Sequence, residues 1–432
     1  MKIVVAQPGQ TLESIALGSG LTPELAARYN GLAPPWPLAA GQSLLLLRPR
    51  RLHTVRPRET FYQLSARFCV PPLELLRLNP NLGGVPRVAP GQTLVLALEG
   101  CPARPAAADG YAYPFVQRSV LRGILPYAGW LTPFTYGLGE EPGTLVPPDD
   151  AGLVQLAQAY GVRPLLHLST LTEDDTFSAA RAEAVFRSPE AQEKLAGAVC
   201  AQMVRGGYGG VDVDFEYLDG QYAADYAAFL GLLRGQVHAA GGLLMAALAP
   251  KTSRTQPGRL YEGHDYRLVG ENTDAVLLMT YEWGYAYGPP MAVAPVSSVR
   301  KVLDYAVTEI PPQKLLLGFP NYAYDWALPF EQGVTRARLL GNEEAPLLAA
   351  RNGAAIAFDE AAQTPYFRYA DDAGVQHEVW FEDPRSCLAK FSLVSEYGLL
   401  GVGFWNYMRP FTACFSMLDR LFSIARCAPQ IS

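Results

Sequence analysis

Apolar and polar positions divide this chain into two kinds of pattern. Over the first 98 residues the pattern is short and repeats itself. Gln7-Pro8-Gly9-Gln10-Thr11-Leu12 is echoed by Arg56-Pro57-Arg58-Glu59-Thr60-Phe61. Leu12, Ile15 and Ala16 fall at helical spacing, and so do Phe61, Leu64 and Ser65. Asn30 is echoed by Asn79, and Gly41-Gln42-Ser43-Leu44 by Gly91-Gln92-Thr93-Leu94. Each copy predicts a short strand, a helix, a second helix carrying the Asn near its end, and a closing strand. Units this small have little core, yet such domains do fold.

Beyond them the reading changes. Residues 99–109, with Gly100, Pro102, Pro105 and a run of small residues, read as a linker. Apolar runs then predict eight strands, over 120–127, 131–137, 162–169, 210–217, 243–249, 275–281, 314–320 and 400–405. Helices are predicted over 151–160, 188–206, 223–240, 296–308 and 387–397. Continuous apolar runs imply strands buried on both faces, as in parallel sheets. Eight of them with intervening helices imply a (β/α)8 barrel, a TIM barrel in the α/β class, with a doubly wound sheet as the alternative. The gap between strands seven and eight is too long for one helix. Within it, Tyr366–Tyr369, a turn at Asp371–Gly374 and His377–Phe381 predict a hairpin. This reads as a small α+β insertion over about 324–384, walling one side of a cleft.

One strand departs from the apolar rule. In Gly209-Gly210-Val211-Asp212-Val213-Asp214-Phe215-Glu216-Tyr217, carboxylates alternate with apolar residues. On an extended strand all three would share one face, about 7 Å apart. Like charges that close resist ionising together, so at least one carboxyl holds a proton near neutral pH. A general acid needs that. The competing reading is a solvated acidic face, but such faces mix Lys, Thr and Ser with the acids.

Composition adds a few limits. The 432 residues exceed one ordinary domain, and 49% are hydrophobic, ample for a large core. A net charge of −6 without a basic run excludes a nucleic-acid binder. Twenty-three tyrosines suggest surfaces able to stack on sugar rings, though tyrosines also fill cores. Cys69, Cys101, Cys200, Cys387, Cys414 and Cys427 are scattered and read as mostly free, buried thiols. The N-terminus lacks the apolar core of a signal peptide, and no apolar run is long enough to span a membrane. The expectation is a soluble, monomeric protein made without an ordinary export signal, needing no cofactor and no metal.

The repeats resemble the LysM module, a βααβ domain that binds N-acetylglucosamine-containing glycans. The resemblance rests on the Thr11 and Thr60 openings, the two Asn residues and the Gly-Gln closing strands. It implies LysM domains over 1–48 and 51–98. The second copy is the better match, because the first departs at Gly18-Ser19-Gly20.

Residues 110–428 resemble glycoside hydrolase family 18, whose strand-four signature is Asp-x-x-Asp-x-Asp-x-Glu. Asp212, Asp214 and Glu216 match, and Gly209 replaces the first Asp. Met279-Thr280-Tyr281 and Trp405 match strands six and eight. Glu282 stands for the usual Asp, and the strand-three Ser-x-Gly-Gly is not recognisable in His167-Leu168-Ser169-Thr170. The family resemblance implies that Glu216 protonates the leaving oxygen while the substrate's own acetamido oxygen attacks, with retention. It implies that Asp214 bonds the acetamido N–H, that Asp212 shares a proton with it, and that Tyr281 holds the acetamido oxygen. Trp405 would floor the subsite, with Glu282, Met279, Tyr136, Tyr322 and Asn321 as further substrate contacts. Several have plainer readings: Tyr281 and Trp405 as core aromatics, Glu282 as an arginine's partner, Tyr322, Asp325 and Trp326 as anchors of the insertion. His167 reads as a satisfied core histidine. The motifs around Trp283, Trp326 and Trp405 resemble LysM-bearing spore enzymes that cut cortex peptidoglycan. That implies a peptidoglycan substrate and a place in the spore coat or cortex. A chitinase, a non-catalytic coat protein and a cytoplasmic location are the alternatives.

Overall fold

The computed structural model describes residues 1–172, 174 and 176–426. The first small unit runs strand Lys2–Val5, helices Leu12–Gly18 and Pro23–Arg28, and strand Ser43–Leu46. The second runs Pro49–Thr54, Phe61–Phe68, Pro72–Leu78 and Thr93–Leu98. In each, the two strands pair antiparallel. The repeated Thr is a helix cap: Thr11 and Thr60 accept the backbone N–H three residues on, and Ser14 and Gln63 return the bond. The repeated Asn is a structural staple. Asn79 donates to the carbonyls of Leu75 and Val95, both within 2.9 Å, and accepts from the Val95 N–H at 2.8 Å. Asn30 does the same between Ala26 and Leu45. Each thereby pins the second helix to the closing strand.

The larger unit is a parallel barrel. Its strands are Arg104–Ala112, Trp130–Pro133, a third split into Arg163–Pro164 and Leu166–Ser169, then Gly210–Asp214, Leu243–Leu248, Ala275–Leu278, Leu315–Pro320 and Gly401–Trp405. The ladder starts on one half of the third strand and ends on the other, so the sheet closes around. Helices cover the outside, with Leu, Val and Phe side chains from both layers in one continuous core. A smaller cluster fills the inside, including Trp130, Leu165, Met245, Leu277 and Leu316. Between strands seven and eight lies a five-stranded antiparallel sheet with helix Glu344–Arg351, and the predicted hairpin is its Thr364–Ala370 and Gln376–Trp380 pair.

Two sequence expectations fail at the barrel's start. Residues 120–127, predicted as strand one, form helix Arg118–Ile124 and a short 3-10 turn. Val120, Leu121, Ile124 and Leu125 are spaced as a helical stripe, which the apolar content alone disguised. Strand one instead begins inside the expected linker, at Arg104. Its alanines look unstructured in sequence, but they are buried between strands two and eight. Strand four is also shorter than predicted: it ends at Asp214, and the chain turns at Tyr217, whose φ is +59°. Among the cysteines, Cys387 and Cys414 are buried and free but Cys69 and Cys101 are exposed, and Cys427 lies outside the described residues.

The small units are docked on the barrel. Arg77 pairs with Asp419 at 2.6 Å, and the hydroxyl of Tyr160 donates to Gly84 O at 2.8 Å. Ile356 of the insertion donates its N–H to Ala40 O at 2.8 Å. Gly41, at φ +82°, lets the backbones meet there, because a Cβ would stand 1.8 Å from Ile356 O. The two units also bond each other through Tyr29 O–H to Leu78 O and Arg28 to Asn79. The C-terminal helix Thr412–Leu421 leads into strand Phe422–Ile424, which pairs with the beginning of strand one.

Replacing Asn79 would strand the buried N–H and C=O of Val95, a loss of about 2–4 kcal/mol. Asn79→Ala should therefore lower the denaturant midpoint of the second module's unfolding, while Asn81→Ala, at an exposed neighbour, should leave it unchanged.

Candidate active site

The carboxylates gather at the C-terminal mouth of the barrel. Asp214, Glu216, Met279, Tyr281, Glu282 and Trp405 line one cleft of about 610 Å³, together with Tyr111, Tyr113, Phe134 and Trp283. That volume lies in the usual range of small-ligand sites. Tyr217, Tyr285 and Phe177 hold exposed ring surface around its rim. A separate void between the first small unit and the insertion, about 30 Å³, is too small for a sugar.

Asp212 lies beneath, fully buried inside the barrel. Its Oδ2 accepts from the Tyr111 hydroxyl at 2.7 Å. Burial raises its carboxyl to about 6 against the opposing pull of His167 and the Tyr111 bond, with the Asp214 charge adding a smaller upward push. Asp109, from strand one, is also fully buried. Its Oδ1 accepts from Thr132 at 3.0 Å, while Oδ2 has no partner. Burial and the Asp212 charge raise it to about 7. Glu216 stands at the cleft floor, where burial and the Asp214 charge raise it to about 8. At neutral pH a carboxyl with that pKa is mostly protonated.

The backbone beyond strand four is fixed by His264. Its Nδ1 accepts from Ala249 N–H at 3.0 Å, which leaves Nε2–H to donate to Phe215 O at 2.9 Å. Burial lowers its pKa, consistent with this neutral tautomer. Glu216 is thus held between an anchored carbonyl and the turn at Tyr217. Gly209 also has a local cause: a Cβ there would stand 2.5 Å from Arg163 Cγ.

Three expected substrate contacts lie elsewhere. Tyr136 points into the helix layer, where its hydroxyl accepts from Gln202 at 2.6 Å and meets Tyr208 at 3.2 Å. Phe134, two residues earlier, supplies the cleft ring instead. Asn321 is buried and donates to the carbonyls of Asn406 and Arg409, tying the ends of strands seven and eight together. Tyr322 is buried behind Glu282 and donates to its carboxylate; Tyr324 does so at 3.1 Å. Glu282 therefore pairs with tyrosines, not with an arginine. Asp325 holds Arg338, Tyr369 and His377 within the insertion. Asp109 and Tyr111 went unnoticed in the sequence because the strand carrying them reads as linker. The available signal was Asp109-Gly110-Tyr111 closing a run of alanines, the profile of a strand packed inside a barrel.

The sequence model of glycosyl hydrolases family 18 matches residues 154–409, and that of the LysM domain matches 4–46 and 53–97. The chain belongs to glycosyl hydrolase family 18. It is a glycoside hydrolase carrying two LysM domains. It is 39% identical over 305 residues to the cortical fragment-lytic enzyme of Bacillus subtilis, covering 71% of this chain and 70% of that one. With the enzyme of the same name from Bacillus anthracis it shares 32% identity over 99% of both chains. The crystal structure of the Bacillus cereus spore cortex-lytic enzyme SleL superposes with a TM-score of 0.83 at 33% identity, over 98% of each chain.

A carboxyl whose pKa is higher folded than unfolded binds more protons in the folded state, so its contribution to stability falls as pH rises between the two values. For Asp109 that window runs from about 3.8 to about 7. Asp109→Asn keeps the Thr132 bond and removes the charge. It should melt above the wild type at pH 8, and the advantage should vanish at pH 4, a comparison thermal unfolding at the two pH values makes directly.

Proposed function

We propose that this protein is a retaining, substrate-assisted N-acetylglucosaminidase that cleaves the β-1,4-linked glycan of spore cortex peptidoglycan. The observation that carries the reading is Glu216 beside Asp214 in an aromatic cleft that also holds Tyr281 and Trp405, where burial and the Asp214 charge raise the Glu216 carboxyl to about 8. The substrate class follows from the cortex-lytic relatives, which match the chain over nearly its whole length.

In this reading Glu216 donates its proton to the leaving glycosidic oxygen. The acetamido oxygen of the sugar attacks the anomeric carbon, giving an oxazolinium ion that water opens with retention. Asp214 accepts a hydrogen bond from the acetamido N–H and stabilises its positive charge. Tyr281 donates to the acetamido oxygen and aims it. Nucleophile and electrophile belong to one molecule, so the step gains the large effective molarity of intramolecular reactions. Asp212 acts through Asp214 by sharing a proton with it. Trp405 floors the reacting sugar, and Met279 and Glu282 line its side. Tyr322 supports Glu282. The LysM domains bind the same glycan, and the protein resides on the spore, at the coat or cortex. Among the described residues no helix is long and apolar enough to cross a membrane.

Glu216→Gln should bind glycan and release no reducing ends; turnover at the wild-type rate would refute the assignment. Activity of the wild type should fall above about pH 8 as Glu216 loses its proton. Mass spectrometry of products from intact cortex, pre-cut cortex fragments and chitin oligomers would identify the substrate. Faster cleavage of chitin than of either cortex form would make the protein a chitinase, and no product from any of the three would make it a glycan-binding protein.

A further inference from the structure

His167 sits on strand three, in register beside Asp212 of strand four, and is wholly buried. Its ring is held on three sides. Nδ1 is hydrogen-bonded to Thr135 Oγ1 at 2.6 Å. Phe134 stacks on one face at 4.9 Å between centroids, and Tyr111 meets the ring edge-on at 5.4 Å. The remaining nitrogen, Nε2, has no hydrogen-bond partner. It points between two carboxylates, 3.8 Å from Asp212 Oδ2 and 3.6 Å from Asp214 Oδ2. A core histidine whose role is packing satisfies both nitrogens; this one satisfies one and aims the other at charge.

The titratable groups around the ring are Asp212 and Asp214 from strand four, Tyr111 and, behind Asp212, Asp109 from strand one; Tyr281 and Glu216 face Asp214 from the cleft side. All are acids. Among the described residues no lysine, arginine or second histidine comes within 4.0 Å of Asp212 or Asp214. Carboxylates removed from water need a counter-charge or must hold protons.

We infer that His167 is a positioning residue that supplies the counter-charge of the Asp212–Asp214 pair, with Thr135 fixing the ring so that Nε2 faces both carboxylates. This rests on the reading of Asp214 as the group that must be ionised to stabilise the acetamido cation. A counter-charge at Nε2 favours negative charge on the pair it faces, which carboxyls removed from water do not hold by themselves. His167 draws the Asp212 carboxyl down, against its burial. It makes no contact with the substrate and acts through the pair.

The test is the pH profile of kcat for the full chain on an N-acetylglucosamine tetramer, wild type against His167→Gln. The Gln amide keeps a bond to Thr135 and carries no charge. The acid limb should move up by about one pH unit or more, with kcat at pH 5 falling at least tenfold, while the alkaline limb set by Glu216 stays in place. An acid limb within about 0.2 units of wild type, in a variant that melts cooperatively, overturns the inference. If His167→Gln does not fold, ring 15N shifts of His167 in the wild type decide the matter. Both nitrogens protonated between pH 5 and 7 supports the inference; a bare Nε2 across that range overturns it. A wild type that hydrolyses neither the tetramer nor cortex would instead remove the catalytic reading, and the 15N measurement would still judge His167 by itself.

Discussion

Everything at the mouth of this barrel depends on the cost of placing carboxyl groups where water cannot reach them. Asp109, Asp212 and Asp214 are buried, and Glu216 stands above them on the cleft floor. An isolated buried carboxylate is so unfavourable that the group keeps its proton instead. Shared burial therefore distributes protons among these acids: Asp109, Asp212 and Glu216 are raised to about 7, 6 and 8. The same constraint that makes the site costly to fold makes one of its members an acid at neutral pH. Neutral donors soften the cost without removing it, as Tyr111 does for Asp212 and Thr132 for Asp109.

Holding those groups apart by fixed distances is the task of the surrounding frame. Strand four delivers Asp212 and Asp214 from a regular backbone, but Glu216 lies past its end. The chain there depends on His264, which bonds Ala249, just past strand five, and the Phe215 carbonyl at once. On the far wall, Glu282 has a φ of +66° and is held by two tyrosine hydroxyls. Left-handed backbone at a residue other than glycine costs about 1–3 kcal/mol and persists only where the surroundings impose it. Both Tyr217 and Glu282 adopt it at the rim of the cleft.

Much of this was legible in the sequence, and the exceptions are instructive. The alternation around Asp214, the LysM repeats, the hairpin in the insertion and seven barrel strands follow from periodicity. Strand one does not, because Ala106, Ala107 and Ala108 carry no pattern; their burial comes from neighbours about 300 residues away in strand eight. Asp109 and Tyr111 were lost with it. Tyr136 and Asn321 were expected in the cleft from their places near the C-terminal ends of strands two and seven, but which way a side chain turns there is set by tertiary partners, here Gln202 and the Arg409 carbonyl. His167 was legible as buried, and its unsatisfied nitrogen was visible only once three strands were placed around it.

The pairing of strand one also sets the order in which this chain can fold. Each LysM domain closes by contacts within its own few dozen residues. Strand one follows immediately, yet its edge partners are Gly401–Phe404 and Phe422–Ile424. During synthesis from the N-terminus, the two small domains are complete long before the barrel can close. Strand one must wait with an open edge while the rest of the protein is made, and loop closure over that length is slow. Its composition suits the delay. A run of alanines and glycine beside Asp109 is a poor template for pairing with another chain, whereas a strand of valines and isoleucines in that position would invite aggregation. The weak pattern that hides strand one from sequence reading thus also makes it a weak template for pairing with another chain.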